Sequence, residues 1–365
     1  MSKRKIDAAR LDAACARFGD VVIDPAVWPD IMSEVCSAVG ARGAVLLQSD
    51  QRTPDVPWTE SVTDVFRNYF GDEWHRRDIR ARGAPLLMKG QRVITDEDVV
   101  TVEERRRSPF YNEAVFPFGL EWFAAIGFKA GSALWALSIQ RTSSEGPFER
   151  ADRRLLETLS QPLTEAATLS TALGRMALQS VTHALGAVDH AAAVIDRAGK
   201  VMDFNGRAGV LFDAHINVRN GRLSIHDQPA RQNYERWVEQ LSAHGDAPLM
   251  QDPIVVRRGS QPPVVLRILS IPPAARSPFL GARALLTLSV VEARQSPDVD
   301  LLKRVFGLTA AEARLALIVG RGLSLETASE TLGVSRETVR NQLKSIFAKT
   351  STHRQSELVA LIAGL

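Results

Sequence analysis

The carboxyl-terminal part of the chain constrains the fold most, because helix starts and stops follow one another there at short intervals. Thr309 and Glu312 have the spacing of a capping box, in which each side chain bonds the other's backbone amide. Ser324 and Ser335 each precede a run of helix-forming residues, and serine is a favoured amino-terminal cap. Gly333 stands between the second and third runs, where a helix can end. The pattern predicts three short helices, the last two joined by a tight turn.

The third of these helices, Arg336–Phe347, separates into two faces at 3.6 residues per turn. Its apolar face consists of Val339, Leu343 and Ile346. Its polar face consists of Glu337, Arg340, Asn341 and Lys344, at positions i, i+3, i+4 and i+7. Arginine, asparagine and lysine are donors suited to guanine, adenine and phosphate, so this face has the chemistry of a major-groove reader.

The net charge of +3 is concentrated in the same region. Residues 300–365 hold nine Lys or Arg and six Asp or Glu, so they carry the whole excess of positive charge. Residues 336–354 alone hold five bases and one acid. A polyanionic partner is the simplest explanation of this distribution, although a solvated basic face on a helical bundle is the alternative.

Residues 308–358 resemble the LuxR-type helix-turn-helix. The likeness rests on Leu308-Thr309-x-x-Glu312, Leu332-x-Val334-Ser335-x-x-Thr338-Val339-Arg340, Ile346-x-x-Lys349 and Arg354-x-x-Glu-Leu-Val. The family often has His at position 342 and Gly at position 351, where this chain has Gln342 and Ser351. The resemblance implies a homodimer on an inverted repeat of double-stranded DNA, with RNA polymerase as a further candidate partner. The implied DNA contacts are Arg336, Thr338, Arg340, Asn341, Lys344, Lys349 and Arg354.

Two regions precede this module and are predicted to be α+β sensory domains with antiparallel sheets. Residues 176–293 resemble a PAS domain through Ala192–Asn205, which indicates a strand, a turn at Asp196–Gly199, a second strand and a helix capped by Asn205. PAS domains bind small molecules or pair subunits, and both roles stay open. Residues 1–175 resemble a GAF-type domain.

The first region is notable for its aromatic residues. Thirteen of the chain's 23 aromatic side chains fall between Trp58 and Trp135, where they could line a ligand cavity or fill a core. The candidate pocket residues are Tyr69, Trp74, Asp78, Tyr111 and Trp122. The stretch 69–78 is distantly similar to acyl-homoserine-lactone sensors, but Ile79 stands where those proteins usually have Pro. An effector of that class is therefore one alternative.

Several further elements are predicted. A long helical block covers 149–187, with an interruption at Pro162, and 294–299 is a linker before the helix-turn-helix domain at 300–365. Strands are predicted at 44–47, 122–129, 133–140, 254–257, 264–269 and 284–291.

The sequence also indicates what the chain is not. The phosphate-binding loop, zinc-protease and nucleophile-elbow motifs do not occur, so we expect no enzyme activity and no cofactor. Cys15, Cys36 and the histidines lack metal-ligand spacing. The amino terminus has no apolar signal core, and no apolar stretch is long enough to span a membrane, which favours a cytoplasmic protein. An adaptor whose terminal helices bind a protein partner is the alternative to a DNA-binding regulator.

Overall fold

The computed structural model describes residues 6–49, 54–243, 251–272, 277–291 and 298–365. The chain forms two compact units, Met1–Val290 and Val291–Leu365. The first unit is mixed α/β with antiparallel sheets, and the second is helical, as expected from the sequence. Most of the predicted linker 294–299 lies outside the described residues, and Val299 already belongs to a helix. The GAF-like and PAS-like identities of the two upstream regions stay predictions.

A four-stranded antiparallel sheet forms the amino-terminal half of the first unit, in the order β1-β4-β3-β2. Its strands are β1 (Gly43–Gln48), β2 (Val93–Thr95), β3 (Leu120–Ala130) and β4 (Ala133–Thr142). The helices of this half are α1 (Ala8–Ala16), α2 (Asp20–Ile23), α3 (Trp28–Val39), α4 (Thr63–Gly71), α5 (Ala84–Met88), α6 (Asp96–Val99) and α7 (Val102–Arg107). Short 3-10 turns and one π-helical turn, Phe110–Val115, connect them.

The predicted strand 44–47 and the hairpin of 122–129 with 133–140 are confirmed as β1, β3 and β4. Gly131 makes the hairpin turn with φ +61°, a conformation that glycine adopts without steric cost. The long helical block is confirmed as two helices, α8 (Arg150–Glu157) and α9 (Ser160–Ala187). Pro162 lies in the first turn of α9, where its missing amide hydrogen costs nothing.

The second half of this unit is a five-stranded antiparallel sheet in the order β6-β5-β11-β10-β9, beside a separate hairpin of β7 and β8. The strands are β5 (Ala191–Asp196), β6 (Val201–Phe204), β7 (Ile216–Arg219), β8 (Arg222–Ile225), β9 (Ile254–Arg258), β10 (Gln261–Ser270) and β11 (Ala282–Val290). The helices are α10 (Gly206–Leu211) and α11 (Gln228–Ala243). Asn205 caps α10 by accepting from the Ala208 amide at 2.9 Å, so the predicted strand–turn–strand–helix motif is confirmed.

One predicted turn is shorter than expected. The sequence placed Pro262 and Pro263 in the loop between β9 and β10, but both lie within β10. The pairing of β10 with β9 shifts register between Gln261 and Val264. Proline cannot donate to a ladder, and a bulge accommodates it.

The second unit contains α12 (Val299–Phe306), α13 (Ala310–Gly320), α14 (Leu325–Leu332), α15 (Arg336–Thr350) and α16 (Gln355–Ala363). Its core includes Leu315, Val319, Ala328, Val339 and Ile346, all fully buried. The three predicted helices of the terminal module are thus confirmed. Among the described helices of the whole chain, none combines the length and the apolar character needed to cross a bilayer.

Candidate nucleic-acid interface and ligand cavity

Helix α15 is fixed at its start by a side-chain cap. Ser335 has extended backbone geometry, and its hydroxyl accepts from the Thr338 amide at 3.1 Å. The preceding helix α14 ends at Gly333, whose φ of +64° turns the chain. Because both ends of this turn are set by local residues, the direction in which α15 leaves is well defined.

The side of α15 that faces α13 is held by a buried carboxylate. Glu312 is 7% exposed, and its side chain accepts from Lys349 Nζ at 2.7 Å and from Ser345 Oγ at 2.6 Å. It also accepts from the Thr309 amide at 2.7 Å, which completes the predicted capping box. The hydrogen bonds from Lys349, Ser345 and Thr309 lower the pKa of Glu312 to about 2, against the opposing effect of its burial. The carboxylate therefore stays charged and ties α13 to α15.

The opposite side of α15 is exposed, while Val339, Leu343 and Ile346 face the core. Arg340, Asn341 and Lys344 lie together on this exposed side. Within the part of the chain that the structure describes, the side chains of these three residues make no hydrogen bond or ion pair. Their donors are thus available to an external acceptor.

The remaining predicted DNA contacts have different surroundings. Arg336 is exposed and lies 3.3 Å from the carboxylate of Glu326, and the Thr338 hydroxyl lies 2.9 Å from that of Ser335. Arg354 is exposed just before α16. Lys349, by contrast, is occupied by its bond to Glu312. This bond helps to hold α15 in place, and the DNA-backbone contact of Lys349 stays a prediction, since its side chain is 35% exposed.

A cavity of about 60 Å³ lies in the first unit, between the four-stranded sheet and the helices that cover it. The π-helical turn contributes Phe110, Ala114 and Val115 to its wall, and β3 contributes Phe123 and Ala125. Turns of this kind are frequent at functional sites. The wall is mainly apolar, with a few polar groups: Gln48, Ser49, Tyr69, Asp78, Arg80, Ser138 and Gln140.

Arg80 is the centre of the polar network in this wall. Its Nε donates to the Tyr111 hydroxyl at 3.1 Å and its Nη1 to Gln140 Oε1 at 2.8 Å, while its backbone amide donates to Asp78 Oδ1 at 2.9 Å. The guanidinium carbon lies 4.5 Å from the ring centre of Phe123 and 4.8 Å from that of Tyr111. Burial alone would lower the pKa of Arg80, but Tyr111, Asp96 and Asp78 more than offset it, so the pKa is raised and the group stays cationic.

Asp96 extends this network through Tyr111, although Asp96 itself does not line the cavity. Its two oxygens accept from the Tyr111 hydroxyl at 2.6 Å and from the Phe123 amide at 2.7 Å. Burial raises the pKa of Asp96, against the lowering effects of Arg80 and of these hydrogen bonds. Burial also raises the pKa of Tyr111, which therefore remains a neutral donor.

The structure brings together two of the five predicted pocket residues at the cavity. Tyr69 and Asp78 line it, and the Tyr69 hydroxyl donates to Asp78 Oδ2 at 2.9 Å. Trp74 and Tyr111 are buried outside the lining. Trp122 is also outside it, because its neighbour in β3, Phe123, faces the cavity and adjacent strand residues point to opposite faces. The ring centre of Trp122 instead lies 3.8 Å from the guanidinium carbon of Arg105.

Sequence reasoning missed Arg80 and Gln140, which lie 60 positions apart in the chain. Arg80 follows Asp78 closely, and that proximity was the one local signal available. Gln140 is a polar residue on the buried side of β4, 3% exposed. A buried polar side chain in a strand generally has a partner, but the sequence does not indicate which one.

Comparisons with known proteins give partial likenesses only. No protein-family model matches the chain. No curated protein matches it. Among solved structures, the chain is similar to the LBD domain of VqsR from Pseudomonas aeruginosa, with 12% identity and a TM-score of 0.35 over 44% of this chain and 94% of that one.

Two further solved structures are similar to part of the chain. One is phage VqmA in its complex with DPO, with 15% identity and a TM-score of 0.22 over 51% of this chain and 88% of that one. The other is the VqmA dimer of Vibrio cholerae, described among LuxR-type receptors, with 11% identity and a TM-score of 0.20 over 50% of this chain and 86% of that one. At these values the likenesses establish no shared function.

Proposed function

We propose that this protein is a sequence-specific DNA-binding transcription regulator of the LuxR type. The observation that carries the proposal is the exposed row Arg340, Asn341 and Lys344 on a helix whose other side is fixed by the core and by Glu312. A rigid helix with free donors on one side matches the requirements of major-groove reading. The proposal assigns base contacts to these three residues and backbone contacts to Arg336, Thr338 and Arg354.

We also propose that the regulator acts as a homodimer on an inverted repeat. Helix α9 leaves Leu169, Leu173 and Met176 exposed at spacings of four and three residues, with 56%, 46% and 63% of their surface accessible. Large apolar side chains on one exposed helix face favour pairing with another protein surface.

The cavity beside the four-stranded sheet is the proposed signal site. Its volume of about 60 Å³ is small beside the roughly 300–1,000 Å³ of pockets for drug-sized ligands. The cavity therefore favours a smaller effector than an acylated homoserine lactone. In this proposal the ligand changes DNA binding by preferring one conformation of the protein, without a catalytic step.

The decisive experiment is selection of bound sequences from a random DNA pool with the full chain, followed by binding measurements on the selected site. We expect Arg340→Ala to weaken that binding by about 1–3 kcal/mol and to relax the preference at one base position. The matched control is Arg314→Ala, which removes an exposed base from α13 and should leave the base preference intact. If a dimer contacts about four phosphates per protomer, the log–log salt slope should be near −7. Failure to enrich any sequence, with no binding at low salt, would leave the protein-adaptor alternative.

A further inference from the structure

The guanidinium of Arg80 has one nitrogen that the protein does not use. Its Nε and Nη1 are bonded to Tyr111 and Gln140, whereas Nη2 is buried and has no hydrogen-bond partner among the described residues. A buried donor without an acceptor destabilises the folded protein, because no hydrogen bond compensates for its desolvation. Arg80 lines the cavity, so a molecule within the cavity is placed to supply the missing acceptor.

The rest of the wall limits the shape and polarity of such a molecule. Phe110, Phe123, Leu87 and Ile94 all line the cavity, and the volume is about 60 Å³. Mainly apolar walls with a few oriented polar groups are the usual arrangement of a small-molecule site, in which the polar groups fix orientation. The occupant must therefore be compact and mainly apolar.

The charges around Arg80 indicate that the acceptor is neutral. Asp78 lines the same cavity and accepts from the Arg80 amide, and Asp96 is linked to the guanidinium through the Tyr111 hydroxyl. Two carboxylates thus already accompany this cation. The neighbouring cation Arg105 lies 3.5 Å from a third carboxylate. Another anion would enter a region of low dielectric where negative charge is already in excess.

We propose that the cavity binds a compact, largely apolar molecule that carries one neutral carbonyl oxygen, and that Arg80 Nη2 donates to that oxygen. The inference rests on the proposed role of the cavity as the signal site and adds the chemical class of the effector. It makes Arg80 the residue that determines which effector is accepted.

Three probes with similar shapes test the proposal on the full chain without DNA: isobutyramide, isobutyrate and 2,3-dimethylbutane. Titration calorimetry and ligand-observed NMR give the affinities. We expect isobutyramide to bind about tenfold or more tightly than the hydrocarbon, which is the usual effect of a hydrogen bond to a charged group, and more tightly than isobutyrate. Equal binding of the hydrocarbon, or tighter binding of isobutyrate, would overturn the assignment.

Arg80→Met keeps an unbranched, although shorter, side chain and removes the donor, so the advantage of isobutyramide should disappear. The matched control is Arg77→Met, since Arg77 is exposed and lies against Trp74 outside the cavity lining. If Arg80→Met does not fold, the Nε–H resonance of Arg80 in the unaltered protein gives the answer. It should shift with isobutyramide and not with the hydrocarbon, and an unchanged resonance would refute the contact. Since no DNA is present, failure here leaves the DNA-binding proposal intact, and failure to bind DNA leaves this test intact.

Discussion

Replacing Glu312 by Gln should loosen the packing of α13 against α15 without removing any apolar contact. The carboxylate is 7% exposed and receives hydrogen bonds from Lys349, Ser345 and the Thr309 amide. Glutamine has nearly the same shape, but it is neutral and turns an NH₂ group toward one of these donors. The lysine ammonium would then lose its counter-charge in a partly buried position.

The lowered pKa of Glu312 gives the size of the carboxylate's contribution to stability. A shift from 4.5 to about 2 corresponds to about 3 kcal/mol of stability, and solvent screening at the partly exposed Lys349 reduces this contribution to about 2–3 kcal/mol. Because the folded-state pKa is depressed, this contribution is complete above the unfolded value of 4.5. It is lost progressively as the pH falls from there through about 2.

Hydrogen exchange on the full chain, followed by mass spectrometry at neutral pH, measures this effect locally. If exchange is limited by the opening equilibrium, a loss of about 2–3 kcal/mol accelerates the protected amides of α13 and α15 by about 30- to 150-fold. Peptides from the first unit serve as the internal reference. Glu337→Gln is the matched control, since Glu337 is an exposed acid on α15 with no ion pair among the described residues.

Exchange in Glu312→Gln that stays within about threefold of the unaltered protein would refute the reasoning, because about threefold is less than 1 kcal/mol. Equal acceleration by Glu312→Gln and Glu337→Gln would refute it as well. That result would attribute the effect to net charge on the helix rather than to the buried contact.

Two further predictions concern the end of α15 and the open face of α9. Ser351 has φ +53°, a left-handed conformation that costs a residue other than glycine about 1–2 kcal/mol. Ser351→Gly removes this cost but adds the entropy cost of glycine, so it should stabilise the end of α15 by up to about 1 kcal/mol and slow hydrogen exchange there. Ser351→Val should accelerate exchange, and the reverse order of the two variants would contradict the strain. Leu173→Glu should shift the dimer toward monomer in sedimentation measurements, whereas Gln179→Glu, an exposed polar position on the same helix, should not. An unchanged dimer in Leu173→Glu would remove α9 from the interface.

The terminal module could be predicted closely from sequence because its determinants are local. Thr309 and Glu312 are three residues apart, and Ser335 caps the helix that follows it directly. Ser351 illustrates the same point: the family resemblance places Gly there, and the structure shows a left-handed backbone that explains the preference. The bond between Lys349 and Glu312 could not be predicted in the same way, because the two residues lie 37 positions apart.

The cavity could be predicted only in part because its determinants are distant in sequence. The aromatic cluster indicated the region, but pairing of strands decides which side chains face inward. A shift of one position along β3 exchanges Trp122 for Phe123, and in the structure Phe123 is the one that lines the cavity. Similarly, Arg80 meets Gln140 only because the 3-10 turn at Ile79–Gly83 lies over β4.

Helix α9 connects the cavity-bearing sheet to the second sheet within the first unit, which gives the proposed signal a physical route. At its start, Ser160 Oγ donates to the carbonyl of Gly127 at 2.6 Å, and Gly127 belongs to β3, which contributes Phe123 and Ala125 to the cavity wall. Near its end, Thr182 Oγ1 donates to Asp203 of β6 at 2.7 Å. The exposed apolar face lies between these two anchors. A ligand that prefers one position of β3 therefore acts on the same helix that is proposed to pair the subunits, and it can change dimer geometry only to the extent of that preference.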